Sequence, residues 1–187
     1  MLGMSALTVA NQLTLLRMLL IPALVILVVY GANGWALVVF VVAGMTDALD
    51  GVLARWWSQP TSLGALLDPM ADKLLLISTF VVLTLPSLDL PNRLPVWLTV
   101  LVISRDVIIV VTVAIVNLSI GRRTFLPTML GKVATLIYIL TASLTLYFNW
   151  LGRPSVFVDT AIYAALGITV ISGLHYIKHV TRALSES

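Results

Sequence analysis

Cysteine is absent from this chain, which excludes disulfides, thiol catalysis and thiolate metal sites while leaving the redox compartment open. Charge is scarce as well: Asp, Glu, Lys and Arg make up 10% of 187 residues, and only eight residues are acidic. Soluble domains carry about 25% charged and 45 to 50% apolar residues. Here 60% are hydrophobic and the mean hydropathy is +1.07, which excludes a soluble domain. No linker, internal repeat or low-complexity segment interrupts the chain, so residues 1–187 read as one domain. No stripe of interleaved aromatic and basic residues is present, so the net charge of +3 is read as membrane topology and lipid-headgroup contact, with no nucleic-acid partner.

What the chain does have is long apolar runs. A bilayer core takes about 20 apolar residues per helix, and six runs qualify: Leu13 to Tyr30, Trp35 to Leu53, Leu74 to Leu88, Val96 to Leu118, Val133 to Trp150 and Val156 to Ile177. The third is the shortest, and its helix is expected to begin earlier, through Asp68 to Asp72. Helix breakers separate the runs: Gly31-Ala-Asn-Gly34, Gln59-Pro60-Thr61, Leu90-Pro91-Asn92, Gly121-Arg122-Arg123 and Leu151-Gly152-Arg153-Pro154. The expected fold is all-α, an integral membrane protein of six transmembrane helices. The first run has no basic residue before it, contains Arg17 and shows no small-residue cleavage site, so it reads as a retained helix and not a signal peptide. Arg17, Arg55, Lys73, Arg122, Arg123, Lys132, Lys178 and Arg182 flank one side of the six spans, against Arg93 and Arg153 on the other. The positive-inside rule turns the former side to the cytoplasm.

Four of the eight acids lie between Asp47 and Asp72, at the cytoplasmic ends of the second and third spans. Asp47 and Asp50 are spaced i, i+3 and share a helical face that Ala54 continues; Asp68 and Asp72, spaced i, i+4, share another, with Gly64 one turn before them. Pro69 either stands near a helix start or kinks the span. Each Asp at the centre of a membrane helix costs about 2.5 to 3.5 kcal/mol. Arg55 and Lys73 offset at most two of these charges, whereas two divalent cations offset all four. Oxygen donors without Cys or nearby His favour Mg²⁺ or Mn²⁺ over zinc, and a two-metal carboxylate site suits displacement at phosphorus. Gly51, Ala54 and Gly64 keep bulk low where phosphates approach, and Arg55 offers a planar cationic fork. Capping or local pairing explains a single acid at a membrane edge, not four in register with these residues.

This pattern, D-x2-D-G-x2-A-R-x8-G-x3-D-x3-D, resembles the signature of the CDP-alcohol phosphatidyltransferase family at all eight fixed positions, and the likeness extends to chain length and span number. The resemblance implies transfer of a phosphatidyl group from CDP-diacylglycerol to an alcohol, with CMP leaving. It implies that Asp47, Asp50, Asp68 and Asp72 hold two divalent cations, with Asp72 also the general base on the acceptor hydroxyl. Gly51, Arg55 and Thr61 would contact the CDP moiety, and Ala54 and Gly64 would leave room for it. Asn11-Gln-Leu-Thr14-Leu-Leu-Arg17 resembles the family's P-N-x-L-T-x-x-R opening, with Ala10 in place of proline. Asn11 is either a donor contact or a helix N-cap.

The acceptor is read from the fourth and fifth spans. Arg105, deep in an apolar run, must pair or face a polar cavity: either it pairs with Asp106 or the carboxylate cluster, or it forms with Lys132 a clamp for an acceptor phosphate. Similar phosphatidylglycerophosphate synthases carry an arginine-acid pair in this span and a second arginine two turns later, where this chain has Val113. The form Ser104-Arg105-Asp106-Val107 resembles that of CMP-forming cardiolipin synthases, whose acceptor phosphatidylglycerol is less charged than glycerol 3-phosphate. The expected acceptor is therefore phosphatidylglycerol, giving cardiolipin, with glycerol 3-phosphate as the alternative. A transporter would distribute its acids at mid-membrane on broken or repeated helices, unlike this edge cluster. His175 and His179, like Trp56 and Trp57, read as interfacial anchors. Arg122 and Arg123 read as topology or anionic-lipid contacts. The resemblance implies a homodimer, although no G-x3-G face supports one, and the expected location is a bacterial inner membrane.

Overall fold

In the computed structural model the backbone is described for residues 9–57, 64–120 and 129–185, and side chains for residues 12–46, 70–112 and 129–176. Six α-helices follow in order: α1 (Val9–Val29), α2 (Asn33–Trp57), α3 (Gly64–Thr84), α4 (Val96–Ile120), α5 (Met129–Trp150) and α6 (Val156–Ser185). No strand occurs among the described residues. All six apolar runs are helical, and the differences lie at their ends. α3 starts at Gly64, as its acids required, and Pro69 lies inside it, past the first turn. It stops at Thr84 instead of Leu88 because Pro86 disfavours helix at the residue before it. α6 continues to Ser185, well past Ile177, since residues 178–185 contain no Gly or Pro: polarity ends the apolar run there without ending the helix. At 30 residues it is about 45 Å long, more than the roughly 30 Å of a bilayer core.

Two turns are set by glycine. Gly31 and Gly152 have φ of 74° and 67°, a region in which a Cβ costs about 1 to 2 kcal/mol. Each follows a helix whose last carbonyls it helps to satisfy. The N–H of Gly31 donates to Val28 O and that of Ala32 to Leu27 O, and Gly152 and Arg153 do the same to Asn149 O and Phe148 O. This paired pattern is the Schellman C-cap, and it reverses the chain after α1 and after α5.

α1 packs on α2 and α3, α5 on α2 and α6, and α4 on α3 and α6. The shared core includes Leu24, Phe40, Phe80, Leu98, Tyr138 and Leu146, with Phe80 and Tyr138 meeting edge to face at 6.0 Å. Polarity is otherwise inverted relative to a soluble bundle. Thr14, Thr79, Thr84, Thr99, Thr141, Thr145 and Thr169 are buried, whereas Leu19, Ile26, Val110, Leu136 and Ile171 are among many exposed aliphatics. The buried hydroxyls stay satisfied without water. Thr79, Thr84, Thr145 and Thr169 donate to carbonyls one turn back, and Thr84–Thr99 and Tyr138–Thr169 contacts of 2.6 Å join α3 to α4 and α5 to α6. An apolar exterior around a core that interleaves hydrophobic side chains with buried hydroxyls suits helices that associate in lipid. By length and composition, Gln12–Val29, Met129–Trp150 and Val156–Tyr176 suffice to cross a membrane, and Asn33–Thr46 forms a shorter apolar stretch.

The connections after α3 and α5 are locked together. Asn92 N–H donates to Asn149 Oδ1 at 2.8 Å and Asn149 Nδ2 returns a bond to Asn92 O at 3.0 Å. Asn92 Nδ2 donates to Arg153 O at 2.9 Å, and Asn92 Oδ1 accepts from Ser155 N–H at 2.9 Å. Both asparagines are buried, so these bonds satisfy groups that water does not reach.

Candidate active site

The acids stand at the opposite end of the bundle from this lock. Asp47, Asp50, Gly51, Ala54 and Arg55 fall on the C-terminal part of α2, Gly64, Asp68 and Asp72 on the N-terminal part of α3, and Asn11 on α1. Of these, only Asp72 has a described side chain; Thr61, Arg122 and Arg123, and the side chains of Trp56, Trp57, Val113 and His179, also lie outside the described residues. α2 and α3 pack on each other and both pack on α1, so the backbone positions of the α2 and α3 acids lie at one end of a three-helix layer.

Asp72 is held from α1. Arg17 Nη1 lies 2.6 Å from Asp72 Oδ1, with the arginine side chain fully buried and the carboxylate 40% exposed. Arg17, counted from the sequence among the topology charges, pairs with an acid of α3. Its fully buried guanidinium is a counter-ion to Asp72. The signal was available, because the rule applied to Arg105, that a cation inside an apolar run must find a partner, applies equally to Arg17. Asp72 also lines a cavity of about 310 Å³ between α2, α3 and α5, walled by Phe40, Met45, Leu75 and Ile139, with Thr135 and Ser143 adding hydroxyls. A carboxylate at the edge of a largely apolar cleft can meet a lipid's polar group while the walls take its hydrocarbon.

A second charged group adjoins the first. Lys73, next in sequence to Asp72, places Nζ 2.6 Å from Asp106 Oδ2, and Arg105 Nη1 lies 2.7 Å from Asp106 Oδ1. Arg105 Nε also donates to Ser172 Oγ on α6 at 3.3 Å. Lys73 therefore neutralises an acid on α4, not the four-aspartate cluster to which the sequence reading had set it as an offset. Asp106, which that reading saw only as a pairing option for Arg105, joins both cations. The missing signal was long-range: nothing in the order of residues says that α4 crosses α3 at Lys73. Lys132 is exposed near the start of α5, and no described contact joins it to Arg105.

No cluster of three or more His, Cys, Asp or Glu occurs among the residues with described side chains, which include only one of the four aspartates. The donor set fits hard divalent cations nonetheless. It is all carboxylate and lies on two packed helices, and Asp72, the one member with a described side chain, has a partly exposed carboxylate facing a cleft.

The sequence profile of the CDP-alcohol phosphatidyltransferases matches residues 7–172. The chain belongs to the CDP-alcohol phosphatidyltransferase family. It is 34% identical over 190 aligned residues to a protein of Streptomyces coelicolor named cardiolipin synthase (CMP-forming), covering 94% of this chain and 84% of that one. It is 32% identical over 183 residues to a probable phosphatidylglycerophosphate synthase of Mycobacterium tuberculosis, covering 92% and 81%. Human cardiolipin synthase (CMP-forming) is 43% identical over 107 residues, 57% of this chain and 34% of the human one. The chain is thus a CDP-alcohol phosphatidyltransferase, a transferase of phospholipid biosynthesis that releases CMP, and the transporter reading falls away.

Proposed function

We propose that this enzyme transfers the phosphatidyl group of CDP-diacylglycerol to a hydroxyl of phosphatidylglycerol, giving cardiolipin and CMP. The observation that carries the reading is the carboxylate of Asp72, fixed by buried Arg17 at the edge of an apolar cleft. In the proposed reaction the acceptor oxygen forms a bond to the phosphatidyl phosphorus and the bond from that phosphorus to the bridging oxygen breaks. The bonding pair leaves with CMP, and the acceptor proton passes to Asp72 as general base. Arg17 holds that carboxylate in one orientation, so its proton-accepting oxygen is placed before the acceptor arrives. Gly51, Arg55 and Thr61 contact the CDP moiety, Ala54 and Gly64 leave it space, and Asn11 approaches it from α1. Asp47, Asp50, Asp68 and Asp72 would hold two divalent cations, Mg²⁺ or Mn²⁺, whose charge would offset that of the pyrophosphate as CMP leaves.

Arg105 and Lys132 are assigned to the acceptor phosphate. Support for phosphatidylglycerol comes from the Ser104-Arg105-Asp106-Val107 form and from Val113, which leaves α4 one cation short of the glycerol 3-phosphate pattern. The Mycobacterium relative named as a probable phosphatidylglycerophosphate synthase keeps glycerol 3-phosphate as the second reading. The whole of residues 1–187 forms one catalytic membrane domain with six spans, its acids toward the cytoplasm of a bacterial inner membrane, working as a homodimer. The three helices long and apolar enough to span, and the bias of Lys and Arg toward the acid-bearing end, support that placement.

The test is CMP release by purified enzyme in detergent with CDP-diacylglycerol and Mg²⁺ or Mn²⁺, offering phosphatidylglycerol and glycerol 3-phosphate separately. Turnover with phosphatidylglycerol alone, abolished by chelation and restored by either metal, is the expected result. Turnover with glycerol 3-phosphate alone reverses the acceptor assignment.

A further inference from the structure

The cleft that holds Asp72 is walled mostly by hydrocarbon, and among the described residues only Thr135 and Ser143 bring hydroxyls to it. α3 and α5 both start at the acid end of the bundle, and Asp72 and Thr135 each lie about two turns in. They stand at comparable depth on facing walls. Ser143 is about 12 Å further along α5, beyond Ile139, where the cleft is otherwise apolar. Thr135 Oγ1 donates to Gly131 O, one turn back, at 3.2 Å. That bond spends the hydroxyl's single hydrogen and leaves its lone pairs to accept. Thr112 and Thr160 make the same one-turn bond outside the cleft, where it does no more than satisfy the hydroxyl. Thr135 presents its lone pairs in the cavity of a carboxylate that takes an alcohol's proton.

Lys132 precedes Thr135 by one turn, on the same helical face by its i, i+3 spacing, and is exposed toward the acid end. From the mouth inward, α5 therefore offers a cation and then a hydrogen-bond acceptor, with Asp72 opposite on α3. Phosphatidylglycerol and glycerol 3-phosphate share one fragment in the same order: a phosphate, a methylene, a secondary hydroxyl and a terminal primary hydroxyl. We infer that Thr135 is a specificity-determining residue: its Oγ1 accepts from the secondary hydroxyl of the acceptor, so the cleft selects an alcohol whose neighbouring carbon also carries a hydroxyl. The phosphate lies at Lys132 and the primary hydroxyl at Asp72. Holding the secondary oxygen restricts rotation about the adjoining carbon–carbon bond and orients the primary oxygen before reaction. An alcohol without that hydroxyl leaves the Thr135 lone pairs unmatched, which is how such a site discriminates. The inference rests on the roles proposed for Asp72 and Lys132, and holds for either acceptor because both carry the fragment.

The experiment measures kcat/KM for CMP release with phosphatidylglycerol and with its analogue lacking the secondary headgroup hydroxyl, phosphatidyl-1,3-propanediol, under identical donor, metal and detergent conditions. The wild-type enzyme is expected to favour phosphatidylglycerol by about three- to tenfold, the scale of one neutral hydrogen bond where water can enter. Thr135→Val, which keeps the shape and removes the hydroxyl, is expected to bring that ratio close to one, and Thr135→Ser to retain the preference. A merely structural role would lower both rates together, so a wild-type ratio preserved in Thr135→Val overturns the inference. Thr135→Ala decides in the same way if the valine variant does not fold, and a wild-type ratio near one overturns the inference before any variant is made. Where the enzyme turns over only glycerol 3-phosphate, the acceptor assignment fails, and the same ratios taken with glycerol 3-phosphate and 3-hydroxypropyl phosphate decide the role of Thr135 separately. CMP release with none of these alcohols overturns the proposed function and the inference together.

Discussion

The two ends of this bundle solve the problem of buried polarity in opposite ways. At the connection end, Asn92 and Asn149 are neutral, buried and joined by reciprocal hydrogen bonds, and Gly31 and Gly152 close α1 and α5 on their own carbonyls. At the acid end, Arg17, Asp72, Lys73, Arg105 and Asp106 are charged, paired across helices and in part open to a cleft. Neutral groups that satisfy one another have nothing left to offer a ligand, and their job is rigidity. Ion pairs in reach of solvent keep charge that a substrate can engage. Stability and chemistry are thereby separated along the helix axis.

Substitutions at each end should break that separation or sharpen it. Asp72→Asn is expected to lower turnover by about 10² to 10⁴, the usual contribution of a general base. The folded population should survive in size-exclusion chromatography, because the amide oxygen still accepts from Arg17. Unchanged CMP release would remove Asp72 from the chemistry. Arg17→Leu should act on both properties: a loss of up to about 3 kcal/mol, the lower end for a broken buried pair since Asp72 still reaches water, together with a fall in kcat larger than any rise in KM. Thermal unfolding and steady-state CMP release on one preparation check this, and a variant altered in stability alone would make the arginine a mere strut.

At the other end, Asn149→Ala should cost about 1 to 3 kcal/mol by orphaning Asn92 and leave kcat unchanged; a matching loss of kcat would mean that the two ends are coupled. Gly152→Ala is the mildest, with about 1 to 2 kcal/mol of left-handed strain and no effect on either acceptor's rate, measured as a small fall in apparent Tm.

Much of this division is legible in the order of residues. Helix content follows from run length, the early start of α3 from the need to carry Asp68 and Asp72, and the family from eight fixed positions. What stays hidden is pairing between distant segments. Arg17 and Asp72 are 55 residues apart and Lys73 and Asp106 are 33 apart, and periodicity within a helix says nothing about which neighbour it meets. Helix ends differ from the ends of the apolar runs for a related reason. Hydropathy marks where a segment leaves the apolar phase, whereas Pro86 and the unbroken stretch after Ile177 decide where the backbone stops being helical.

The asparagine lock also implies an order of assembly. Asn92 lies in the connection before α4, but its partners Asn149, Arg153 and Ser155 are synthesised some 60 residues later. A nascent chain that has made only α1 to α4 holds a connection whose amide groups still await those partners. A chain truncated before Asn149 would carry every residue of the signature motif and still lack the groups that satisfy buried Asn92.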